Sequence, residues 1–223
     1  MVSSSAVLNG RSLEDPLTYL RRSGVLEYER GQTIYEYDQP ATAIYLVIDG
    51  KVRVTRLTPN GRRILVDIYQ ADEFFGESAL LNFQRAPEMA VAGGPTRLMS
   101  WSVEEVEEII RRQPMLAVAL VQVFVQRSAD FMRRIEDFSA ENISRRLARS
   151  LIRFAERMGT EMDKGSVRID PLTHEMLSQY VGTSREMVTH WMKEFQRRHY
   201  VCYSRQGILI YPEALNAWLK PAA

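Results

Sequence analysis

The chain has few of the residues that build disulfide frameworks and metal centres. Its 223 residues include one cysteine, Cys202, and three histidines. A lone cysteine excludes an intramolecular disulfide framework and an iron–sulfur ligand set, so a reducing cytosol is the natural compartment. The histidines, His174, His190 and His199, show no spacing to nearby carboxylates that is typical of a metal site. Cys202 lies in a predicted strand without an evident base and is expected to be a buried thiol. These patterns predict neither an enzyme nor a metal site.

Long hydrophobic runs are also missing. The longest apolar stretch, MLAVALVQVFV at 115–125, is interrupted by Gln122 and is short for a membrane span. The N-terminal MVSSSAVLNGRSLED has no cationic segment leading into an apolar run, as a secretory signal would. We therefore expect a cytoplasmic protein without a membrane partner.

The charges nearly balance, with a formal net charge of +1. Residues 1–146 carry 18 Lys and Arg against 20 Asp and Glu, whereas residues 147–223 carry 11 against 8. The C-terminal part is therefore the better candidate for binding a polyanion.

Residues 31–101 show the alternation and turns of antiparallel strands. In GKVRVTRL, Val52 and Val54 alternate with polar residues, PNG at 59–61 makes a turn, and RRILVDIYQ continues as a second strand. Glycines follow at turn-like intervals: Gly31, Gly50, Gly61 and Gly76. This pattern favours a β-roll or barrel over a parallel sheet.

A long helix is predicted from about Met115 to Phe138. Six positions, the last at the start of the next helix, are separated by alternating steps of four and three residues, which is the spacing of a coiled-coil seam. They are Phe124, Ser128, Phe131, Ile135, Phe138 and Asn142. A second apolar stripe lies beside them: Leu120, Val121, Val125 and Met132. One face can pack on its own domain and the other on a twin subunit, or the whole helix can pack on its own domain. We assign the first five seam residues to a homodimer interface.

A change of direction is predicted after the long helix. ENISRRLARSLI begins a new helix, and the side-chain oxygen of Asn142 suits its N-cap. The break between domains is therefore placed at 139–142.

The segment THEMLSQYVGTSREMVTHWMKEFQRR predicts two helices joined by a tight turn at 181–183, where Gly182 can adopt the positive φ of a helix stop. The second helix has an apolar stripe formed by Val188, Trp191, Met192 and Phe195, and its outer face carries Glu186, His190, Lys193 and Arg197. YVCYSRQGILIY then predicts two short strands, a wing. This is the plan of a helix-turn-helix, whose second helix enters the DNA major groove.

Two residues at the start of that helix suit base recognition. Arg185 can bond guanine O6 and N7 together, and Glu186 can accept a hydrogen bond from cytosine N4. The alternative for Glu186 is a capping box with Thr183, which needs no ligand.

Four segments resemble the cyclic-AMP receptor and fumarate/nitrate regulator (CRP/FNR) family of bacterial transcription factors: IYLVIDGKVRV, ADEFFGESALL, NISRRLARSLI and HEMLSQYVGTSREMVTHWMKEFQRRHYV. They span roughly residues 18–212, in order and at family-like spacing. The resemblance implies a homodimer that binds double-stranded DNA and RNA polymerase. It places base-reading residues at Arg185, Glu186 and His190, with Ser184 and Thr173 near phosphates.

Three further residues complete the predicted DNA interface: Thr189, Lys193 and, on the wing, Arg205. His190 departs from the cyclic-AMP receptor, which has arginine at that position. The half-site sequence of that receptor therefore does not transfer to this chain.

The segment FGESALLNFQRAPEMAVA resembles part of the family's phosphate-binding cassette. The resemblance implies that Gly76 lets backbone amides approach a phosphate and that Glu77 holds a ribose hydroxyl. It also implies that Arg85 neutralises the cyclic phosphate, with Ser78 adding a hydroxyl.

The remainder of the cassette departs from the cyclic-nucleotide pattern. Ala86 and Pro87 replace the expected Ser or Thr followed by Ala, and the polar pair that meets adenine falls on Phe131 and Met132. Those side chains cannot replace hydrogen bonds to the exocyclic amine. Three alternatives follow: a cyclic nucleotide, another ligand, or a pocket that binds nothing, in which Glu77 and Arg85 pair with each other or with the backbone. Neither haem nor an iron–sulfur cluster is expected.

Together these patterns predict an α+β protein. An antiparallel β-roll sensor occupies 1–112, a dimerisation helix 113–139, and a winged helix-turn-helix 140–223. The predicted function is a transcription regulator that binds an inverted repeat as a homodimer, with the effector left open. The alternative is a cyclic-nucleotide sensor whose C-terminal module binds protein, against which the exposed basic residues of the second helix argue.

Overall fold

The computed structural model describes residues 7–8, 11–21, 24–81, 87–204 and 206–220. The chain divides into two compact units, residues 1–56 with 68–134 and residues 57–67 with 135–223. The predicted class and order of elements are confirmed: antiparallel sheets, a long helix, and a helix-turn-helix with a wing.

The strands that precede the long helix are β1 (Val7–Leu8), β2 (Arg11–Ser12), β3 (Val25–Tyr28), β4 (Thr33–Tyr35), β5 (Ala43–Asp49), β6 (Lys51–Leu57), β7 (Arg63–Gln70), β8 (Phe74–Phe75), β9 (Glu88–Ala92) and β10 (Thr96–Ser102). Strands β1 and β2 pair with each other, and the others form two four-stranded sheets, β3-β10-β5-β8 and β4-β9-β6-β7. Short 3₁₀ turns cover Pro16–Thr18 and Glu77–Leu81.

The predicted alternation of β6 is confirmed. Val52 and Val54 are buried and lie opposite Ala92 and Ala90 of β9. Because successive side chains of a strand point to opposite faces, the intervening polar residues remain on the outer face. Gly61 has φ of 76° in the turn between β6 and β7.

Helix α1 (Val103–Arg112) begins with a capping box in which Ser102 and Glu105 exchange side-chain and backbone hydrogen bonds. Helix α2 (Met115–Ala140) follows after two residues. Its first turns enter the core, because Leu116 and Leu120 are buried in one cluster with Trp101. The predicted long helix is thus confirmed, with ends within two residues of those expected.

Much of the apolar surface of α2 is not buried within the chain. Among the described residues this is the helix whose length and composition would allow it to cross a membrane, with a window of mean hydropathy 1.3 of which 17% is buried. The apolar part of α2 is therefore longer than the apolar stretch at 115–125. The exposed apolar surface of α2 is therefore available to pack against a partner.

The C-terminal elements are α3 (Ile143–Met158), β11 (Thr160–Glu161), a 3₁₀ turn (Asp163–Gly165), β12 (Val167–Ile169), α4 (His174–Val181), α5 (Arg185–Arg197), β13 (Val201–Ser204), β14 (Gly207–Ile210) and α6 (Pro212–Leu219). The strands form one antiparallel sheet in the order β11-β12-β14-β13. Phe154 of α3 packs on Tyr180 of α4, with ring centroids 4.6 Å apart. Val188 and Phe195 bury the inner face of α5.

The predicted change of direction after α2 is confirmed, since α2 ends at Ala140 and α3 begins at Ile143. The placement of the domain boundary at 139–142 stays a prediction. Asn142 caps α3, its side-chain oxygen accepting a hydrogen bond from the Arg145 amide at 3.1 Å. Carboxylates at the end of α2 pair with arginines of α3: Asp137 lies 2.6 Å from Arg153, and Glu141 lies 2.9 Å from Arg149. These ion pairs join the end of α2 to α3 across the break between the two helices.

Candidate nucleic-acid interface and effector pocket

The turn of the helix-turn-helix depends on Gly182. It ends α4 with φ of 70° and ψ of 50°, and its amide donates to the Ser178 carbonyl at 2.9 Å. A Cβ added there would lie 2.5 Å from Cε1 of Phe138. Glycine is therefore required both for the left-handed backbone and for the ring that contacts it.

We predict that Gly182→Ala lowers the free energy of unfolding by about 2 kcal/mol or more, because positive φ costs an L-residue about 1 kcal/mol and the Phe138 ring must also move. Urea unfolding of the full chain measures the loss. Gly165→Ala is the matched control, since Gly165 has φ of 69° but no atom within 4 Å of an added Cβ. Equal losses in the two variants would show that the Phe138 contact contributes nothing.

Helix α5 begins one residue later than a Thr183–Glu186 capping box requires. Its N-cap is Ser184, whose hydroxyl oxygen accepts a hydrogen bond from the Met187 amide at 3.3 Å. The capping-box alternative is therefore wrong, because the third residue after the cap is Met187. Glu186 is left on the outer surface of the first turn.

The polar face of α5 is exposed, as predicted. Arg185, Glu186, His190 and Lys193 are all exposed. Of the predicted inner stripe, Val188, Met192 and Phe195 are buried and Trp191 is half-buried. The Glu186 pKa is lowered by hydrogen bonds from its own backbone amide and from Ser184, and by the charge of Arg185. The helix thus presents a guanidinium beside an ionised carboxylate.

At the C-terminal end of α5, two arginines pair with Glu194. Glu194 lies 2.8 Å from Arg197 and 2.6 Å from Arg198, and these two hydrogen-bonding partners lower its pKa to about 2. Charge is therefore more fully compensated in the last turn of α5, whereas the first turn carries the residues predicted to read bases.

The wing is confirmed as strands β13 and β14, in which Tyr203 lies opposite Ile208. Arg205, at the predicted tip, lies outside the described residues. Cys202 is exposed, so the expectation of a buried thiol is wrong. The reason is strand alternation: Val201 takes the inward position of β13 and the next side chain faces outward.

His174 and Tyr203 belong to this surface although sequence reasoning missed them. The two ring nitrogens of His174 lie 2.8 Å from Oγ1 of Thr189 and 2.7 Å from the Tyr203 hydroxyl. Thr173 caps α4 through a hydrogen bond from the Met176 amide. No spacing in the sequence signals the contact, because its three residues come from three different elements.

In the β-roll segment that resembles a phosphate-binding cassette, Glu77 forms an ion pair with a residue other than Arg85. Glu77 lies 2.8 Å from Arg127 of α2, and a second nitrogen of Arg127 donates to the Phe74 carbonyl. The guanidinium also stacks 4.6 Å from the Tyr69 ring centroid. Arg85 lies outside the described residues, so its proposed pairing with Glu77 stays a prediction.

Several polar groups near Glu77 are buried. The hydroxyls of Ser78 and Tyr35 have no hydrogen-bond partner within the described part of the chain. Burial raises the Tyr35 pKa, and burial together with the charge of Glu77 raises the Glu88 pKa. Unpaired buried hydroxyls are costly, and a bound ligand or an ordered water could supply their missing hydrogen bonds.

The other predicted pocket residues are placed as follows. Gly76 has φ of 86°, and an added Cβ would lie 2.9 Å from the Ala43 carbonyl oxygen, so packing alone requires glycine. Phe131 is half-buried, with the Arg134 guanidinium 5.8 Å from its ring centroid, whereas Met132 is exposed. The structure does not bring Met132 into a buried pocket within this chain.

No group of three or more His, Cys, Asp and Glu residues that could hold a metal ion occurs in the described ranges.

Two family models match the chain in consecutive regions. The cyclic nucleotide-binding domain matches residues 25–113, and the Crp-like helix-turn-helix domain matches residues 145–218. Their order is the order of the β-roll and the helix-turn-helix described above.

Curated relatives support the same assignment. The chain is 27% identical over 186 residues to the CRP-like cAMP-activated global transcriptional regulator of Mycobacterium tuberculosis, covering 83% of both chains. It is 26% identical over 193 residues to the global nitrogen regulator of Synechocystis, covering 85% of both.

Solved structures share the fold. TTHA1359, a CRP/FNR-family transcriptional regulator of Thermus thermophilus, is 26% identical with a TM-score of 0.72, over 88% of this chain and 98% of that one. FixK2 of Bradyrhizobium japonicum, at 19% identity, has a TM-score of 0.75 over 90% and 98% of the two chains. With both domain models matched in order over most of its length, the chain belongs to the CRP/FNR family of DNA-binding transcriptional regulators.

Proposed function

We propose that the protein regulates transcription by binding an inverted-repeat DNA site as a homodimer. The observation that carries the proposal is the exposed pair Arg185 and Glu186 at the start of α5. In a helix-turn-helix the N-terminal residues of the second helix meet the base edges, and these two side chains can read a G·C pair. Lys193 and Arg205 are proposed to contact phosphates, which position the protein without reading sequence.

The proposed dimer interface is an exposed stripe on α2. Its residues follow steps of three and four: Val118, Val121, Val125, Ser128, Met132 and Ile135. The five large apolar side chains of this stripe are 43–61% exposed in the single chain. Alternating three- and four-residue steps keep such a stripe facing a partner helix, so a second copy of α2 would cover it.

This stripe shares Ser128 and Ile135 with the seam predicted from the sequence. Phe124 instead packs against the core cluster of its own unit, and Phe138 contacts Gly182 and Arg146. The assignment of Phe124, Phe131 and Phe138 to the interface stays a prediction, and the exposed stripe is the proposed alternative.

We also propose that the β-roll receives a small polar effector. Support comes from the buried hydroxyls of Ser78 and Tyr35 and from the ionic groups of Glu77 and Arg127 beside them. In this proposal residues 1–112 form the sensor, 113–139 the dimerisation helix and 140–223 the DNA-binding domain. The protein would act on RNA polymerase in the cytoplasm.

The experiment is selection of bound sequences from random DNA, with and without cyclic AMP or cyclic GMP. We expect an inverted repeat whose half-site centres lie about 34 Å apart. The affinity for that site should fall steeply with salt, because each neutralised phosphate releases counterions. The alternative of a protein-binding module predicts no selected sequence and no such salt dependence.

A further inference from the structure

The imidazole of His174 joins three elements of the DNA-binding domain. His174 is the first residue of α4, Thr189 lies in the middle of α5, and Tyr203 lies in strand β13 of the wing. Nδ1 is 2.8 Å from the Thr189 hydroxyl and Nε2 is 2.7 Å from the Tyr203 hydroxyl. Both ring nitrogens are therefore used, each toward a different element.

The direction of the hydrogen bonds follows from the number of protons. The Thr189 hydroxyl donates its only proton to the Arg185 carbonyl at 2.9 Å, so its oxygen must accept from Nδ1–H of His174. In the neutral imidazole Nε2 then has only a lone pair, and the Tyr203 hydroxyl donates to it. A series of hydrogen bonds, each donating in the same direction, therefore runs from the wing through His174 and Thr189 to the backbone of Arg185. We call it the hydrogen-bond chain.

We propose that His174 is a positioning residue for DNA recognition, which fixes the wing and the first turn of α5 relative to each other. The proposal rests on the proposed DNA-binding function. Arg185, a proposed base reader, supplies the carbonyl at the end of the chain, so its backbone is held from the wing side. Loss of the imidazole would leave the hydroxyls of Thr189 and Tyr203 without this partner.

The same hydrogen-bond chain limits the contacts that Thr189 can make with a base. Its single proton is committed to the Arg185 carbonyl, so Thr189 has no donor left for DNA. Its remaining groups are a lone pair and a methyl, and a methyl can contact the C5-methyl of thymine. His174 thereby affects specificity without itself reading a base.

Protonation of His174 would leave the hydrogen-bond chain intact. As an imidazolium, His174 donates from both nitrogens, and the Tyr203 hydroxyl becomes an acceptor that can give its own proton to a phosphate oxygen. Burial, followed by the charges of Arg185 and Lys193 on α5, lowers the His174 pKa below its ordinary value of 6.5. Among the described residues, the other titratable neighbours are Tyr203 on the wing and Glu175 beside it on α4.

Bound DNA should reverse this electrostatic effect. The negative charge of the DNA phosphates offsets the positive charges of Arg185 and Lys193 and favours the imidazolium, so the His174 pKa is expected to be higher in the complex than in the free protein. Binding then takes up a proton. The affinity should rise as pH falls through the pKa of the complex and level off below the lower pKa of the free protein.

The first test compares His174→Ala, Tyr203→Phe and His174→Gln by fluorescence anisotropy with a selected site at about pH 8. The Ala and Phe variants are expected to bind about tenfold more weakly, the effect of one or two lost hydrogen bonds, while Gln can donate and accept and restores most of the affinity. Thermal unfolding of each variant checks folding. DNA binding unchanged in His174→Ala, or a folded Gln variant that binds no better than Ala, would overturn the positioning role.

The second test isolates the proton. The chain has three histidines, so His174 is the only one in a His190→Gln/His199→Asn background; Asn suits position 199, where φ is 58°. In that background, on a site selected with the background variant itself, tighter binding at about pH 6 than at about pH 8 is expected, and His174→Gln should abolish the difference. A pH dependence that persists without His174 would overturn proton uptake there. Absence of DNA binding by the wild type would instead defeat the proposed function itself.

Discussion

Val125→Asp is expected to convert the homodimer to monomers and to weaken DNA binding by at least about 100-fold. Val125 is 61% exposed in the single chain, so the change should leave the monomer folded. In the proposed interface, however, two-fold symmetry brings the two aspartates close together in a desolvated seam, where unpaired charges cost several kcal/mol. A monomer also loses the second half-site, and with it an avidity of about 10²–10⁴.

Sedimentation velocity at micromolar concentration measures the assembly, and anisotropy with the selected site measures DNA binding. Gln126→Asp is the control, because it adds the same charge to an exposed neighbouring position off the stripe. Phe131→Asp distinguishes the exposed stripe from the seam predicted from sequence alone. A wild type that is monomeric both free and on DNA contradicts the dimer.

Arg185→Ala is expected to cost about 1–3 kcal/mol of DNA-binding free energy and to relax the preference for one guanine in each half-site. The guanidinium bonds two acceptors that only guanine presents together in the major groove, so its loss removes discrimination as well as affinity. Lys193→Ala should weaken all sequences more evenly and flatten the salt dependence, as expected for a phosphate contact.

The matched control for Arg185→Ala is Arg198→Ala on the last turn of the same segment. Arg198 pairs with Glu194, so its removal should leave the selected consensus unchanged. Repeating the selection with each variant gives the comparison. If Arg185→Ala returns the wild-type consensus, α5 does not read bases through this residue.

The segment around Glu77 shows that a local sequence pattern identifies only one member of an ion pair. Glu77 is recognisable from its segment, but its partner Arg127 lies 50 positions later on a helix that sequence reasoning assigned to dimerisation. The position of Arg127 in the sequence follows no spacing that indicates a contact with Glu77. Only the packing of α2 on the β-roll brings its guanidinium to the Phe74 carbonyl.

The sequence by itself determined the elements with local causes. The alternation of Val52 and Val54, the Asn142 cap, the stop at Gly182 and the buried stripe of α5 all follow from backbone geometry and short-range spacing, and the structure confirms each of them. Only the tertiary structure decided which face of α2 is covered and that His174 joins Thr189 to Tyr203. These contacts depend on distances between elements far apart in the chain, and spacing along a sequence carries no record of such distances.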